Sequence, residues 1–523
     1  MTTVAMLAAM RGDAMLENTT MTGTINPDGT AGPVGGIPQK IEGAQAKGKT
    51  RFGFPIGGRS SMDGNTKEMV DMIAKADSMG MEAREIRDVY EAYEFMTGKR
   101  LPRPEKSFEG DLDIPASLRT KVQGWSMKTK GELEARFVPI MQLAQADEGV
   151  AETFGAMLKG ISDDYDEASR FEQSGMPVAA YYKYLTADAM TRAIETTINS
   201  LSAVGEDLQV LVNHLDVIQA RNDNRLGAFQ LQARSTLMNK TLGGRVDALN
   251  NMSTFAQAYA YFHIALEEHG QFAGIVENFE KFSQEAGPEV ATQQLLMKYL
   301  MANLYYEISG TLVDFAEDWV SLASNQGPEV QVTAKQYESL ARAYASAGSS
   351  CVAYFDAVIT EPQAEQMGVT VAQFEDQLSF IEGTYRPTKM IATFSEIADR
   401  FYQTPDAMEN AYFKLGAGAS AYLNGASLVN KWYSLSPQPQ EDGSMILGNQ
   451  RAVGVMLDRA KERALEEAGK IDKAFGFIPD SVKLNFQLAT ALREGDNEDK
   501  LQALQIYWTC AFLCDVARAM AGE

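Results

Sequence analysis

The chain has 523 residues, 45% of them apolar, with 24 Phe and 20 Tyr, which is enough to bury a sizeable core in several domains or in one extended repeat body. Its net charge is −23; residues 1–60 hold six basic and four acidic residues, a net +2, so residues 61–523 carry −25. Such an acidic body repels nucleic-acid phosphates and anionic membranes, whose binding rests on Lys and Arg, and it suits solubility or a basic protein partner.

Cys351, Cys510 and Cys514 form no CxxC pair and no even framework, so neither a disulfide scaffold nor a zinc site is indicated. Cys510 and Cys514 lie one helical turn apart among Trp508, Phe512 and Leu513, as buried thiols in a reducing compartment would. No segment reaches the roughly 18–20 uncharged apolar residues of a membrane helix. The start, MTTVAMLAAMRGDAM, lacks the basic region of a secretory signal, so the expected setting is cytoplasmic, with export without a cleavable signal as the alternative.

Residues 1–64 read as a flexible tail, with a brief Met-rich helix over 4–15 and disorder over 18–64. Eleven of the 43 glycines fall in the first 60 residues, alongside Asn26-Pro27-Asp28-Gly29, Gly32-Pro33 and Gly35-Gly36. Residues 65–185 form an N-terminal helical region. Asn65 with Glu68 is the expected cap of a first helix carrying Met69, Met72, Ile73 and Ala76. A second helix carries Ile86, Val89, Tyr90 and Tyr93 and stops at Gly98, before a linker through Leu101-Pro102-Arg103-Pro104. Shorter helices follow over 115–183, with breaks expected near Gly131, Gly160 and Met176-Pro177.

Residues 186–251 form a long helix and connector. One helix is expected over 186–221, with Ile194, Ile198, Leu201, Leu208, Leu211, Leu215 and Ile218 as a near-heptad seam packed inside a bundle. Residues 252–385 contain a repeat at a period of forty: 272–290 (FAGIVENFEKFSQEAGPEV) aligns with 312–330 (LVDFAEDWVSLASNQGPEV). In each copy glycine ends a helix and proline opens the next.

Residues 386–523 form a C-terminal helical region. Gly416, Ala417, Gly418, Ala419, Ser420, Gly425 and Ala426 permit close helix packing, and a loop spans 436–450 through Pro437, Pro439 and Gly443. The closing KLNFQLATALREGDNEDKLQALQIYWTCAFL, with its turn at Arg493-Glu494-Gly495-Asp496, resembles a tetratricopeptide-type hairpin, which implies helix–turn–helix geometry. Strand alternation is scarce. The expected fold class is therefore all-α, a multi-helix bundle or α-solenoid of antiparallel hairpins, with a disordered Gly-rich N-terminal segment.

Chemistry-bearing motifs are sparse. His263 and Glu267 are one turn apart, but His269 points about 160° from Glu267, so no HExxH site forms. His214, His263 and His269 all lack the Glu-x-x-His spacing of a di-iron bundle. Asp163, Asp164, Asp166 and Glu167 lack the glycine and final glutamate of a calcium loop and suit a helix N-terminus better. Neither GxSxG nor GxxxxGK[ST] occurs, and Gly416-Ala417-Gly418 follows no strand. No catalytic, cofactor-binding or metal-ligating residue is assigned. The first functional expectation is a non-catalytic helical scaffold or adaptor that binds a protein partner. The alternatives are a component exported by means of its N-terminal tail (effector, translocator or assembly protein), and an α-helical enzyme whose acids are gathered by folding.

Overall fold

The computed structural model describes residues 2–66, 68–103, 112–203, 207–237, 239–322, 325–401, 404, 406–434, 438–439, 445–446 and 450–522. The described chain is mostly helical, with one small sheet module at the N-terminal end.

That module corrects the expected tail. It runs α1 (Thr2–Arg11), β1 (Thr19–Met21), β2 (Thr24–Ile25), β3 (Ala31–Gly32), α2 (Ile37–Ala46), β4 (Arg51–Pro55), β5 (Ser60–Met62), β6 (Met69–Asp71), α3 (Met72–Ser78), β7 (Glu82–Ile86) and α4 (Val89–Thr97). Strands β1, β4 and β7 form a parallel sheet in that order, with Thr20 opposite Phe52 and Phe52 opposite Ala83. The glycines expected to disorder 18–64 serve tight turns and close approaches instead. At Gly53 a Cβ would stand 3.0 Å from Ile86 and from Met21, so the sheet's central strand needs the missing side chain. Ile41, Phe52, Phe54, Met72 and Ala76 form a core of the module's own.

Asn65 caps no helix. It lies in the turn between β5 and β6, where the Asp63 carboxylate accepts from Asn65 N at 2.9 Å. The helix starts later, at α3, where the Asp71 side chain accepts from Ile73 N and Ala74 N. Ile86 belongs to β7 rather than to the second helix, which spans α4 and stops at Gly98 with φ +72°. Of the proposed linker, Pro104 lies outside the described residues.

The helical body begins with α5 (Ala116–Ala146), α6 (Glu148–Gln173) and α7 (Pro177–Ala203). The breaks expected at Gly131 and Gly160 do not occur, because both lie inside helices with open space where a Cβ would be. The chain turns at Asp147, which caps α6, and, as expected, at Ser174–Met176 before Pro177. The single helix expected over 186–221 is two, α7 and α8 (Gln209–Leu237). Its seam is a core face: Ile194, Leu211, Leu215 and Ile218 are buried.

Next come α9 (Leu242–Glu277), α10 (Phe279–Ala286) and α11 (Pro288–Val320). Ser309 Oγ donates to the Ala258 carbonyl at 2.8 Å, and the Phe262–Tyr306 and Phe272–Tyr299 rings meet at 5.8 and 5.4 Å, so α9 and α11 run antiparallel. The first Gly-Pro-Glu-Val lies between α10 and α11, with Gly287 at φ +90° and Pro288 opening α11. The second copy differs. Gly327 takes φ +82°, but Val330 N donates to the Lys240 carbonyl at 2.9 Å and Leu242 N to that of Pro328 at 2.9 Å. An extended stretch results, and the next helix waits for the Thr333 capping box.

The chain closes with α12 (Ala334–Phe355), a π turn over Asp356–Thr360, α13 (Glu361–Met367), α14 (Val371–Ile381), α15 (Tyr385–Phe401) and α16 (Ala407–Ser434). After a two-residue ladder of β8 (Gln438–Pro439) with β9 (Met445–Ile446) come α17 (Gln450–Phe475), α18 (Asp480–Leu492) and α19 (Asn497–Ala521). Pro437 and Gly443 lie outside the described residues. The small residues of α16 admit neighbouring backbones: a Cβ on Gly416 would stand 2.8 Å from Ser253 N, and one on Gly418 2.8 Å from Ala345 N. At the turn over 493–496, Asp496 caps α19, and Phe486 meets Tyr507 at 5.3 Å. One apolar core runs from Ile56 of the module to Met520 of α19.

Candidate functional site

In open parallel sheets ligands gather at the carboxyl ends of the strands. Here β1 ends at Met21 and β7 at Ile86, and beyond them a cavity of about 300 Å³ opens between the first turn of α1, the β2–β3 loop and the first turn of α4. Its walls include Thr2, Thr3, Thr24 and Thr30, the backbone of Gly23 and Gly29, and Asp88. Asp88 is committed: it caps α4 by accepting from Glu91 N at 2.9 Å and holds Arg103 at 3.0 Å. The cavity thus offers hydroxyls, backbone groups and one paired acid. That set can hydrogen-bond a small polar group, but it supplies no nucleophile joined to a base.

A second, larger groove of about 830 Å³ runs along α12, with α15 and α16 at its side. It is lined by Ala341, Ala345, Ser346, Ser349 and Ser350, with Arg342, Glu338, Glu396 and Lys414 at its edges.

The histidines occupy packing positions. His263 sits between Tyr259 at 4.7 Å and Phe394 at 5.2 Å, and burial lowers its pKa. Glu267 reaches Arg386 at 2.7 Å, and Glu268 holds Lys298 at 2.8 Å and also Arg386. His269 Nδ1 meets Tyr306 Oη at 3.3 Å and its Nε2 faces Asp216 at 3.6 Å. His214 Nδ1 lies 2.7 Å from both Ser200 Oγ and Tyr299 Oη. His263 feels the Glu267 charge, and the three histidines keep separate packing partners. Among the described residues no group of three His, Cys, Asp or Glu is placed to hold a metal ion. Burial pushes the Cys351 thiol up to about 11, and the Cys510 and Cys514 thiols also rise.

The acidic run Asp163–Glu167 does not start a helix as expected. It lies deep in α6, where Asp164 and Glu167 meet Lys183 of α7 at 3.1 and 2.8 Å. Asp499 of α19 completes the cluster at 2.8 Å. Burial works against the Lys183 ammonium, yet the charges of Asp164 and Asp499 hold its pKa above the usual value. Three carboxylates share one ammonium, so the surplus proton rests with the acids: burial pushes Asp499 up to about 6. A comparable hub surrounds the fully buried Glu467, which accepts from Lys470 at 2.5 Å and from Arg518 at 3.0 Å, with Arg463 at 2.5 Å. Beside it burial, then the Glu467 charge, pushes Asp515 up to about 6.

Sequence reading missed both hubs and a buried contact from Asp28 to the Trp508 indole at 3.0 Å. Partners hundreds of residues apart leave no local spacing to find. Asn26-Pro27-Asp28-Gly29 did carry a signal, as a turn between two short β-prone pieces. No helix among the described residues is long and apolar enough to cross a membrane. Comparison with protein-family models, with curated proteins and with solved structures found no match.

Proposed function

We propose that the chain is a non-catalytic helical scaffold whose α8 face receives a helix of a protein partner. The observation behind this reading is a line of side chains on α8 at seven-residue steps: Val210, Val217, Asn224 and Leu231. Val217 and Leu231 are each 66% exposed and Val210 38%. The opposite face, through Leu211, Leu215, Ile218, Leu226 and Phe229, is already in the core. Apolar positions seven apart match the seam of a second helix, and Gly227 and Ala228 beside the line let its backbone come close. Exposed Asp216 and Asp223 flank it, so the favoured partner helix carries Lys or Arg at its edges. A photo-crosslinking residue at Asn224 of the full chain tests this. A discrete protein adduct whose crosslinked segment is helical supports the reading, and its absence, with adducts formed instead from control positions on other helices, overturns it.

The cavity at the carboxyl edge of the sheet supports a second reading, in which the module holds a small polar ligand. The export reading drew on a flexible tail, and residues 2–66 are built into helices, strands and turns.

A further inference from the structure

The sheet module meets the helical body through a buried polar contact. Asn26 and Asn430 of α16 exchange amide hydrogen bonds of 2.9 and 3.3 Å. Asp28 accepts from the Trp508 indole at 3.0 Å, from Thr30 Oγ1 at 2.6 Å and from Thr30 N at 2.8 Å. Asp28 is 4% exposed and Trp508 1%.

Among the described residues the charged groups around Asp28 give it no counter-ion. Arg459 of α17 is the cation whose field reaches it, but that guanidinium bonds Glu466 at 2.9 Å and Glu462 at 3.3 Å and lies 5.9 Å over the Tyr90 ring. Asp88 of the neighbouring bridge holds Arg103. Glu85 and Arg451 pair at 3.9 Å across the same two bodies, and Tyr422 of α16 feels the Asp28 charge. Among the described residues no cation is within ion-pair distance of Asp28. A buried carboxylate in that position favours its neutral acid. Burial indeed raises its pKa, against the hydrogen bonds from Thr30 and Trp508. As an acid, Asp28 can donate to Thr30 Oγ1 while its other oxygen still accepts from Trp508.

We propose that seating of the sheet module on the helical body takes up one proton at Asp28, so that rising pH loosens the module and uncovers Trp508. The sign follows from linkage. Unseated, Asp28 ionises near the ordinary value of about 4; seated, it holds its proton to higher pH. The seating equilibrium is constant below about 4, weakens by up to about tenfold per pH unit above that, and levels off once the seated acid has ionised.

Hydrogen exchange of the full-length chain between pH 4.5 and 7.5, corrected for intrinsic rates, tests this. The amides of residues 24–32 are expected to lose at least about tenfold more protection than those of α5–α7 across that range. In Asp28→Asn this excess loss is expected to vanish. In Trp508→Phe it should extend to higher pH, because the anion loses a donor. A wild-type profile over 24–32 no steeper than that of α5–α7, or an Asp28→Asn excess equal to that of wild type, would overturn the proposal. So would an Asp28→Asn chain unprotected over 24–32 at every pH, since that would show the anion itself is required.

Discussion

Glycines in this chain divide into two kinds that substitution separates by sign. At Gly418 a Cβ would stand 2.8 Å from the Ala345 backbone nitrogen, so Gly418→Ala must push α16 from α12. A cost of about 1–3 kcal/mol is expected, typical of overpacking. Gly131 and Gly160 face open space inside α5 and α6, so alanine there is expected to stabilise by about 0.5–1 kcal/mol. Denaturant unfolding of the three variants gives the comparison, and the same sign at Gly418 and Gly131 would contradict the packing. Titration at single residues makes a second prediction. Asp499 and Asp515 both sit at about 6 against an ordinary value near 4. A raised folded value gives stability that is present below about 4 and lost as pH rises through about 6. Glu467 and Glu382 are held below the usual range despite burial, by Lys470 and by Lys431, and act in the opposite sense at more acid pH. Asp499→Asn is therefore expected to flatten the decline of the unfolding midpoint between pH 4 and 7. Lys183→Met, which strands three carboxylates, is expected to cost about 3–5 kcal/mol. An equal pH slope in wild type and Asp499→Asn would place the proton elsewhere.

Among elements, the helix boundaries show what local sequence carries. Gly98 and Gly287 both end helices with positive φ, as their positions in the sequence implied. Gly287→Ala is expected to cost about 1 kcal/mol from backbone strain alone. Gly327→Ala should cost clearly more, because a Cβ there would also lie 2.2 Å from the Phe477 ring. Thermal unfolding of both variants reads the difference. The forty-residue repeat predicts equal roles for these glycines, and their surroundings decide otherwise: the second copy pairs with Lys240–Leu242 and starts no helix. The same limit explains Asn65. Its side chain could cap a helix, but the Asp63 carboxylate organises that turn, and the strand pair Met62–Met69 encloses it. Periodicity made the helical body legible from α5 to α19. It could not reveal the parallel sheet, whose strands of three to five residues are too short for alternation to register and whose glycines read as disorder.

The whole molecule joins two kinds of architecture through buried polar groups. Asn26 to Asn430 and Asp28 to Trp508 span more than 400 residues of sequence, and Ile56 enters the main helical core. Contacts of that range are set by folding and carry no local spacing, which is why the helices were legible in the sequence while the docking of the module and the acidic hubs were not. Over the outer surface of that assembly, the α8 line of Val210, Val217, Asn224 and Leu231 is the feature most suited to another helix. The most direct measurement is affinity capture with the full chain and with its Val217→Glu/Leu231→Glu variant, after circular dichroism has shown equal helix content. A partner held by the native chain and crosslinked at Asn224 is expected to be lost from the variant, with at least a tenfold weaker Kd. A partner held equally by both chains would contradict the assignment of α8 as the binding face.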